Sequence, residues 1–265
     1  MKFDLKDTTF IIPVRIDSMI RLENLLLTID NLESNFETNI VIIEAAYYNN
    51  GILKRLIKPN ISHYFIEDKD PIFHRTRYLN IISKDVNTCI TAIWDADVIL
   101  EHTQIIESVR QIRNKNCDIA YPYDGNFLDT SEIIRNHYLL YGDICFLQKN
   151  ISKMNLLYSS VKGGNSLGGA FLINTEKYKL SGLENEAFYG WGVDDGERYQ
   201  RWLVLNFSIF RSEGKLFHLS HPRDINGKIR SENYYLRAMD EINIIMNSTK
   251  GELDDRFRKQ YEISE

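Results

Sequence analysis

Cysteine is scarce in this chain. Cys89, Cys117 and Cys145 are the three among 265 residues, and they sit in unrelated contexts with no close pair. That argues against a disulfide frame or a cysteine-based zinc site and reads as buried thiols in a reducing, cytoplasmic compartment. Cationic excess is missing too. The net charge of −5 gives no basic field that would point to nucleic acid or an anionic membrane surface. No apolar run reaches the roughly 18 residues of a membrane span. The stretch Met1–Asp7 lacks the apolar centre of a signal peptide. No Gly-x-Gly-x-x-Gly follows the first apolar stretch, so a dinucleotide fold is not indicated. No internal repeat, low-complexity tract or convincing linker divides the chain.

What is present is the composition of an ordinary globular protein, 43% hydrophobic and 26% charged. The length allows one large α/β domain or two small ones. Fifteen tyrosines suit a sugar-facing cleft, although tyrosine also fills cores.

Residues 89–97, Cys-Ile-Thr-Ala-Ile-Trp-Asp-Ala-Asp, organise the rest. Cys89–Trp94 reads as a strand buried on both faces, as in parallel sheets. It ends on Asp95 and Asp97, and ligands of open α/β sheets bind outside the carboxyl ends of strands. If the backbone stays extended, period two puts both carboxylates on one side, within reach of one hard cation that could hold a diphosphate. Aspartates are also common wherever a strand turns, so the motif alone is weak.

The chain on either side alternates in kind. Strands are expected at Thr8–Val14, Asn39–Ala45, Ile61–Ile66, Asp118–Pro122, Ala170–Ile173, Phe207–Phe210 and Leu216–His221. Helices are expected from an Asp17 or Ser18 cap through Asn31, at Ile52–Ile57, Arg75–Lys84, Thr103–Lys115, Asp129–Tyr141, Thr175–Leu180, Glu197–Val204, Ser231–Met246 and Glu252–Tyr261. Lys149–Ser160 is ambiguous. The alternation implies α/β architecture, a mostly parallel sheet flanked by helices. Pro13 marks an edge or the end of its strand. Lys162–Gly169, rich in glycine, reads as a hinge or a closing loop. In Phe188–Glu197, aromatics and glycines precede Asp194 and Asp195, which fall in a first helical turn where the dipole favours carboxylates. His218 and His221 are three apart, so a regular strand would send them to opposite faces, with one reaching a site.

Several segments in this order resemble the GT-A nucleotide-sugar glycosyltransferases, in particular the β-1,4-galactosyltransferase and polypeptide N-acetylgalactosaminyltransferase group. They are Ile12-Pro13-Val14-Arg15, Phe73-His74-Arg75-Thr76-Arg77-Tyr78-Leu79-Asn80, Trp94-Asp95-Ala96-Asp97, Gly190-Trp191-Gly192-Val193-Asp194-Asp195 and His221-Pro222-Arg223-Asp224. The first is similar to that family's opening strand, the third to its Asp-x-Asp metal motif, and the fourth to its acceptor segment. Asp194 stands where glutamate is common, and Val193 where glycine is common. The likeness runs over about residues 8–225.

The resemblance implies a single GT-A, Rossmann-like domain. Its nucleotide half would be about 1–122, its acceptor and catalytic half about 123–230, and C-terminal helices would follow over 231–265. It implies an inverting, metal-dependent transfer of galactose, N-acetylgalactosamine or a related hexose from a UDP-sugar to a glycan acceptor, in bacterial surface-polysaccharide assembly. That setting allows peripheral association with a membrane-bound assembly system. Pro13, Arg15, Asp17, Glu44, Arg75, Asn80 and Asp95 would serve the nucleotide. Asp97 and His221, with Asp95 as partner and His218 in reserve, would hold Mn²⁺ or Mg²⁺. Trp191, Gly192 and Asp194 would contact sugar, and Asp195 would be the general base. The rival readings are a sugar nucleotidyltransferase, for which the glycine-rich basic loop is missing, a glycoside hydrolase, and a non-catalytic sugar-binding protein.

Overall fold

The computed structural model describes residues 2–158, 165–223 and 225–262. Part of the glycine-rich loop, Lys162–Gly164, and Asp224 lie outside the described residues, as do 263–265.

The elements in chain order are β1 (Phe3–Val14), α1 (Met19–Asn35), β2 (Phe36–Ala46), α2 (Ile52–Leu56), β3 (Ser62–Glu67), α3 (Arg75–Ser83), β4 (Ile90–Trp94), β5 (Val98–Ile99), α4 (His102–Arg113), β6 (Ile119–Tyr121), β7 (Phe127–Asp129), α5 (Glu132–Tyr141), α6 (Ile144–Lys149), β8 (Asn155–Tyr158), β9 (Ala170–Asn174), α7 (Thr175–Leu180), α8 (Asp194–Val204), β10 (Ile209–Arg211), β11 (Leu216–His218), α9 (Glu232–Asn247) and α10 (Lys250–Glu262). Seven strands form one sheet in the order β10-β6-β9-β4-β1-β2-β3. All neighbours are parallel except β9, which runs antiparallel between β4 and β6. The mostly parallel sheet expected from the alternation is therefore present.

β4 lies at its centre and is buried throughout, as its unbroken apolar run requires. Pro13 is no edge marker, since β1 is an interior strand. It sits past Ile11, the last residue paired with β4, and is in register with Ile43 of β2.

A second, four-stranded sheet, β5-β11-β7-β8, adjoins the first. Its strands have two to four residues, too short for a periodic signal. The helix expected from Asp129 begins only at Glu132, because Phe127–Asp129 pairs with β11 and Ser131 caps α5 by accepting from the Ile134 N–H. The strand expected through His221 stops at His218. No helix among the described residues is long and apolar enough to cross a membrane.

Helix α1 holds the chain segments that leave β4 and β11. Ser18 caps it, accepting from the Arg21 N–H. Thr28 Oγ1 donates to the Ala96 carbonyl at 3.1 Å. Asn24 Nδ2 donates to the Leu219 carbonyl at 2.8 Å, and its Oδ1 accepts from Arg135 Nε at 2.9 Å. The Leu219 N–H in turn donates to the Asp97 carbonyl at 2.8 Å. Asn24 is fully buried, so losing its amide would strand a carbonyl and one guanidinium N–H without water. Asn24→Leu should lower unfolding free energy by about 2–4 kcal/mol. Urea unfolding checks this, and a shift under about 0.5 kcal/mol would show that neither group depends on Asn24.

Candidate active site

β4 ends at Trp94, and its next residue, Asp95, donates its N–H to the Gly169 carbonyl before β9 at 2.8 Å. Ala96 and Asp97 then form a turn rather than continuing extended. The two carboxylates therefore diverge, and the period-two expectation does not apply. Asp95 accepts from Arg75 Nη2 at 2.8 Å. Asp97 is turned to the histidines that follow β11.

Both histidines reach it. His221 Nε2 is 3.1 Å from Asp97 Oδ2, and His218 Nε2 is 3.5 Å from Asp97 Oδ1. The expected opposition of the two rings fails because the strand ends at His218 and the chain turns before His221. Each Nδ1 is engaged on the far side. His218 Nδ1 meets Asp129 Oδ1 at 2.7 Å, and His221 Nδ1 meets the Pro222 carbonyl at 2.9 Å. Nε2 of both rings is thereby directed at Asp97. One ligand atom from each of Asp97, His218 and His221 lies within 4.8 Å of the others, a spacing suited to a metal ion. Asp95 is outside that group. A carboxylate on the outer nitrogen is the usual way of orienting a metal-binding imidazole. Asp129 was not legible in the sequence, because its partner lies 89 residues away and only the parallel β7–β11 register brings them opposite.

The donor set, one carboxylate and two imidazoles, fits a borderline divalent ion better than Mg²⁺. Burial pushes Asp97 up, but His218 and His221 outweigh burial and hold it well below the usual carboxylate range. Burial lowers His218, while Asp97 and Asp129 outweigh it and raise the imidazole to about 9.

Arg75 leads from Asp95 to the acidic segment. Its Nη1 lies 3.7 Å from Asp194 Oδ2 and has no hydrogen bond. Asp194 and Asp195 occupy the first turn of α8. Burial and the adjacent Asp195 charge push Asp194 up to about 8. Burial also raises Asp195, but Arg198 and Arg75 prevail and hold it below the ordinary value. Arg198 ion-pairs with Asp195 Oδ1. Asp195 Oδ2 rests against Gly168, where a Cβ would come within 2.5 Å. Trp191 is 40% exposed at the lip, and Gly192 packs against the Tyr234 ring.

The remaining expected nucleotide residues are not gathered here. Arg15 is engaged by the Ala45, Asp70 and Pro71 carbonyls and by Asp68, holding the loop after β3. The buried amide of Asn80 brackets the Glu184 backbone and meets Glu186. Asp17 pairs with Arg21 on the surface of α1. Glu44 pairs with His63 at 2.9 Å, leaving Oε1 without a partner. Pro13 is buried within β1. Arg198 was the readable omission, since it lies one helical turn after Asp195 in a helix expected from the sequence.

Comparison with known proteins finds two likenesses. Residues 149–223, just over a quarter of the chain, match the family model described as the N-terminal domain of galactosyltransferase. That span contains Asp194, Asp195, His218 and His221. The fold is similar to the crystal structure of glucosyl-3-phosphoglycerate synthase from Mycobacterium tuberculosis in complex with Mn²⁺, uridine diphosphate and phosphoglyceric acid. The TM-score is 0.50 at 12% identity, covering 81% of this chain and 71% of that one. The chain thus has the GT-A fold, a mostly parallel sheet flanked by helices. No curated protein matches it in sequence.

Because His218 carries a proton up to about pH 9 without metal, an arriving cation must displace it. Protons compete with metal, so affinity rises with pH. Mn²⁺ affinity should climb by about tenfold per pH unit from near 6 towards 9, then level off. Calorimetric titration of Mn²⁺ at several pH values measures the slope, and a flat profile above pH 7 would show that His218 is not displaced from its proton.

Proposed function

We propose that the chain is a metal-dependent, inverting glycosyltransferase that takes a hexose from a UDP-sugar. The donor sugar is galactose, N-acetylgalactosamine or a near relative, and the acceptor is a hydroxyl of a glycan. The observation that carries the reading is the junction at Arg75. It pairs with Asp95, two residues before Asp97 of the carboxylate–imidazole cluster suited to a metal ion, and faces Asp194 of an acid pair with opposed protonation preferences. The GT-A fold and the galactosyltransferase family match over residues 149–223 support it. Mn²⁺ and uridine diphosphate in the similar synthase support a nucleotide donor and a cation here.

Asp97, His218 and His221 would hold the ion, Mn²⁺ in preference to Mg²⁺. Bound there, it would neutralise charge on the leaving diphosphate. Arg75 and Asp95 would orient the donor, with the nucleotide taken by the half within about 1–122. Asp195 stays ionised at neutral pH and is 33% exposed, as a base that must touch an acceptor hydroxyl requires. In the transfer, the acceptor oxygen bonds to the anomeric carbon as its proton passes to Asp195. The bond to the diphosphate breaks and UDP leaves with the electron pair. Asp194, protonated at neutral pH, would donate a hydrogen bond to sugar rather than accept one. Trp191 would offer its flat face to a sugar ring. The cytoplasmic setting and a role in surface-polysaccharide assembly accord with this chemistry.

UDP with Mn²⁺ should raise the melting temperature where Mn²⁺ alone raises it less, since ligands of the native state stabilise it. Asp97→Asn should lose that increment. Asp195→Asn should keep it while UDP-sugar transfer falls by about 10²–10⁴. Absence of any UDP-dependent shift in the unmodified protein would sink the reading. Normal transfer by Asp195→Asn would move the base elsewhere.

A further inference from the structure

Beneath the first turn of α8 lies a chain of buried charge that the proposed reaction does not yet use. Arg198 is wholly buried. Its Nη1 donates to Glu184 Oε2 at 2.7 Å, and its Nη2 pairs with Asp195 Oδ1. The guanidinium lies 4.4 Å from the Phe171 ring centre and 5.5 Å from that of Trp202. Glu184 is as tightly held. Its Oε1 accepts from the Tyr178 hydroxyl at 2.6 Å, and its backbone N–H and carbonyl are both bracketed by Asn80.

We infer that Arg198 is a positioning residue for Asp195, and that Glu184 fixes Arg198 in that role. The inference rests on the proposed role of Asp195 as base. An aspartate in a first helical turn has several rotamers open to it. Here Oδ1 is tied to Arg198 from below, and Oδ2 is set beside the Gly168 backbone. The carboxylate is left with one direction in which to present its free edge. A forked guanidinium can hold two carboxylates at once in fixed geometry, which an ammonium cannot. The exposures agree. Glu184 and Arg198 are closed to solvent, and Asp195 at the end of the row is open.

The plain alternative is that Glu184–Arg198 merely fastens α8 to the 178–184 turn. A neighbouring pair already does that. Arg201, one turn further along α8, pairs with Glu197 at 3.0 Å and donates to the Ser181 and Leu183 carbonyls. It is equally buried, but none of its hydrogen bonds goes to the acid pair or the histidine cluster. Glu197 therefore supplies an internal control of matched burial and chemistry.

The test compares Arg198→Lys, Glu184→Gln and the control Glu197→Gln with the unmodified protein. The probes are UDP-galactose and UDP-N-acetylgalactosamine with Mn²⁺, read as turnover per UDP-binding site, together with the UDP–Mn²⁺ thermal shift. Arg198→Lys should lower kcat by about 10²-fold and Glu184→Gln by about tenfold, with donor KM within about threefold. Both should keep the thermal shift. Glu197→Gln should lower the melting temperature and leave kcat per site unchanged. If the control loses as much kcat as the other two, or they lose none, the inference is overturned while glycosyl transfer stands. If Arg198→Lys fails to fold, Glu184→Gln decides alone. If the unmodified protein shows neither the shift nor turnover, the functional reading falls and takes the inference with it.

Discussion

Four carboxylates converge at the carboxyl edge of β4 and the start of α8, and a partly buried site cannot leave four such charges uncompensated. Three have a close basic partner, although burial still raises Asp95 against the pull of Arg75. Arg75 faces Asp95, Arg198 faces Asp195, and the His218–His221 pair faces Asp97. Asp194 meets Arg75 at the longer distance of 3.7 Å, and Arg75 and Arg198 do not offset the burial and the Asp195 charge that push it up to about 8. The division of labour within the acid pair thus follows from which partner each residue meets. It does not follow from the residue type, which is the same.

Delivering those partners is what the architecture accomplishes. Antiparallel β9 enters the sheet beside β4, and the carbonyl of Gly169 just ahead of it pins the Asp95 amide. Gly169 has φ +83°, and a Cβ there would press on Leu216 and Phe127, so the close join needs glycine. The small second sheet sets Asp129 opposite His218. Asn24 and Thr28 of α1 tie together the backbones that carry His221 and Asp97. Metal-ligand candidates more than 120 residues apart in sequence are in this way brought within one ion's reach.

The legible part of this was local. The run Ile90–Trp94, the helical spacing from Ile20 to Ile29 and the exact span Thr175–Leu180 are readable because period and caps lie within the segment itself, whereas Cys89, expected buried at the head of that run, is exposed. The acid pair in the first turn of α8 was readable for the same reason. What escaped was long-range. β7 and β11 are three-residue strands whose pairing no single segment announces. The paired histidines escape a strand reading because the strand ends at His218, three residues before His221. The motif resemblance points Arg15 and Asn80 at a ligand, whereas backbone carbonyls and carboxylates engage their donors in the fold. A motif identifies a residue type at a place in the chain, and burial and competing partners decide what that residue can still bind.

Arg75 gives the two halves of the cleft a shared electrostatic state. Its charge is felt by Asp95, Asp194 and Asp195 together. At the few-ångström separations here, and with solvent partly excluded, such interactions reach several times their strength in water. A positive ion near Asp97 and a negative diphosphate beside Arg75, as proposed, would therefore act in opposite directions on Asp194. The cation would draw negative charge forward and favour its ionised form. The diphosphate would compete for Arg75 and favour its protonated form. Asp195 also feels Arg75, but it has in addition the buried Arg198–Glu184 pair behind it. The residue proposed as base is the one whose charge is set by the fold, and its neighbour is the one whose charge is left to respond to what binds.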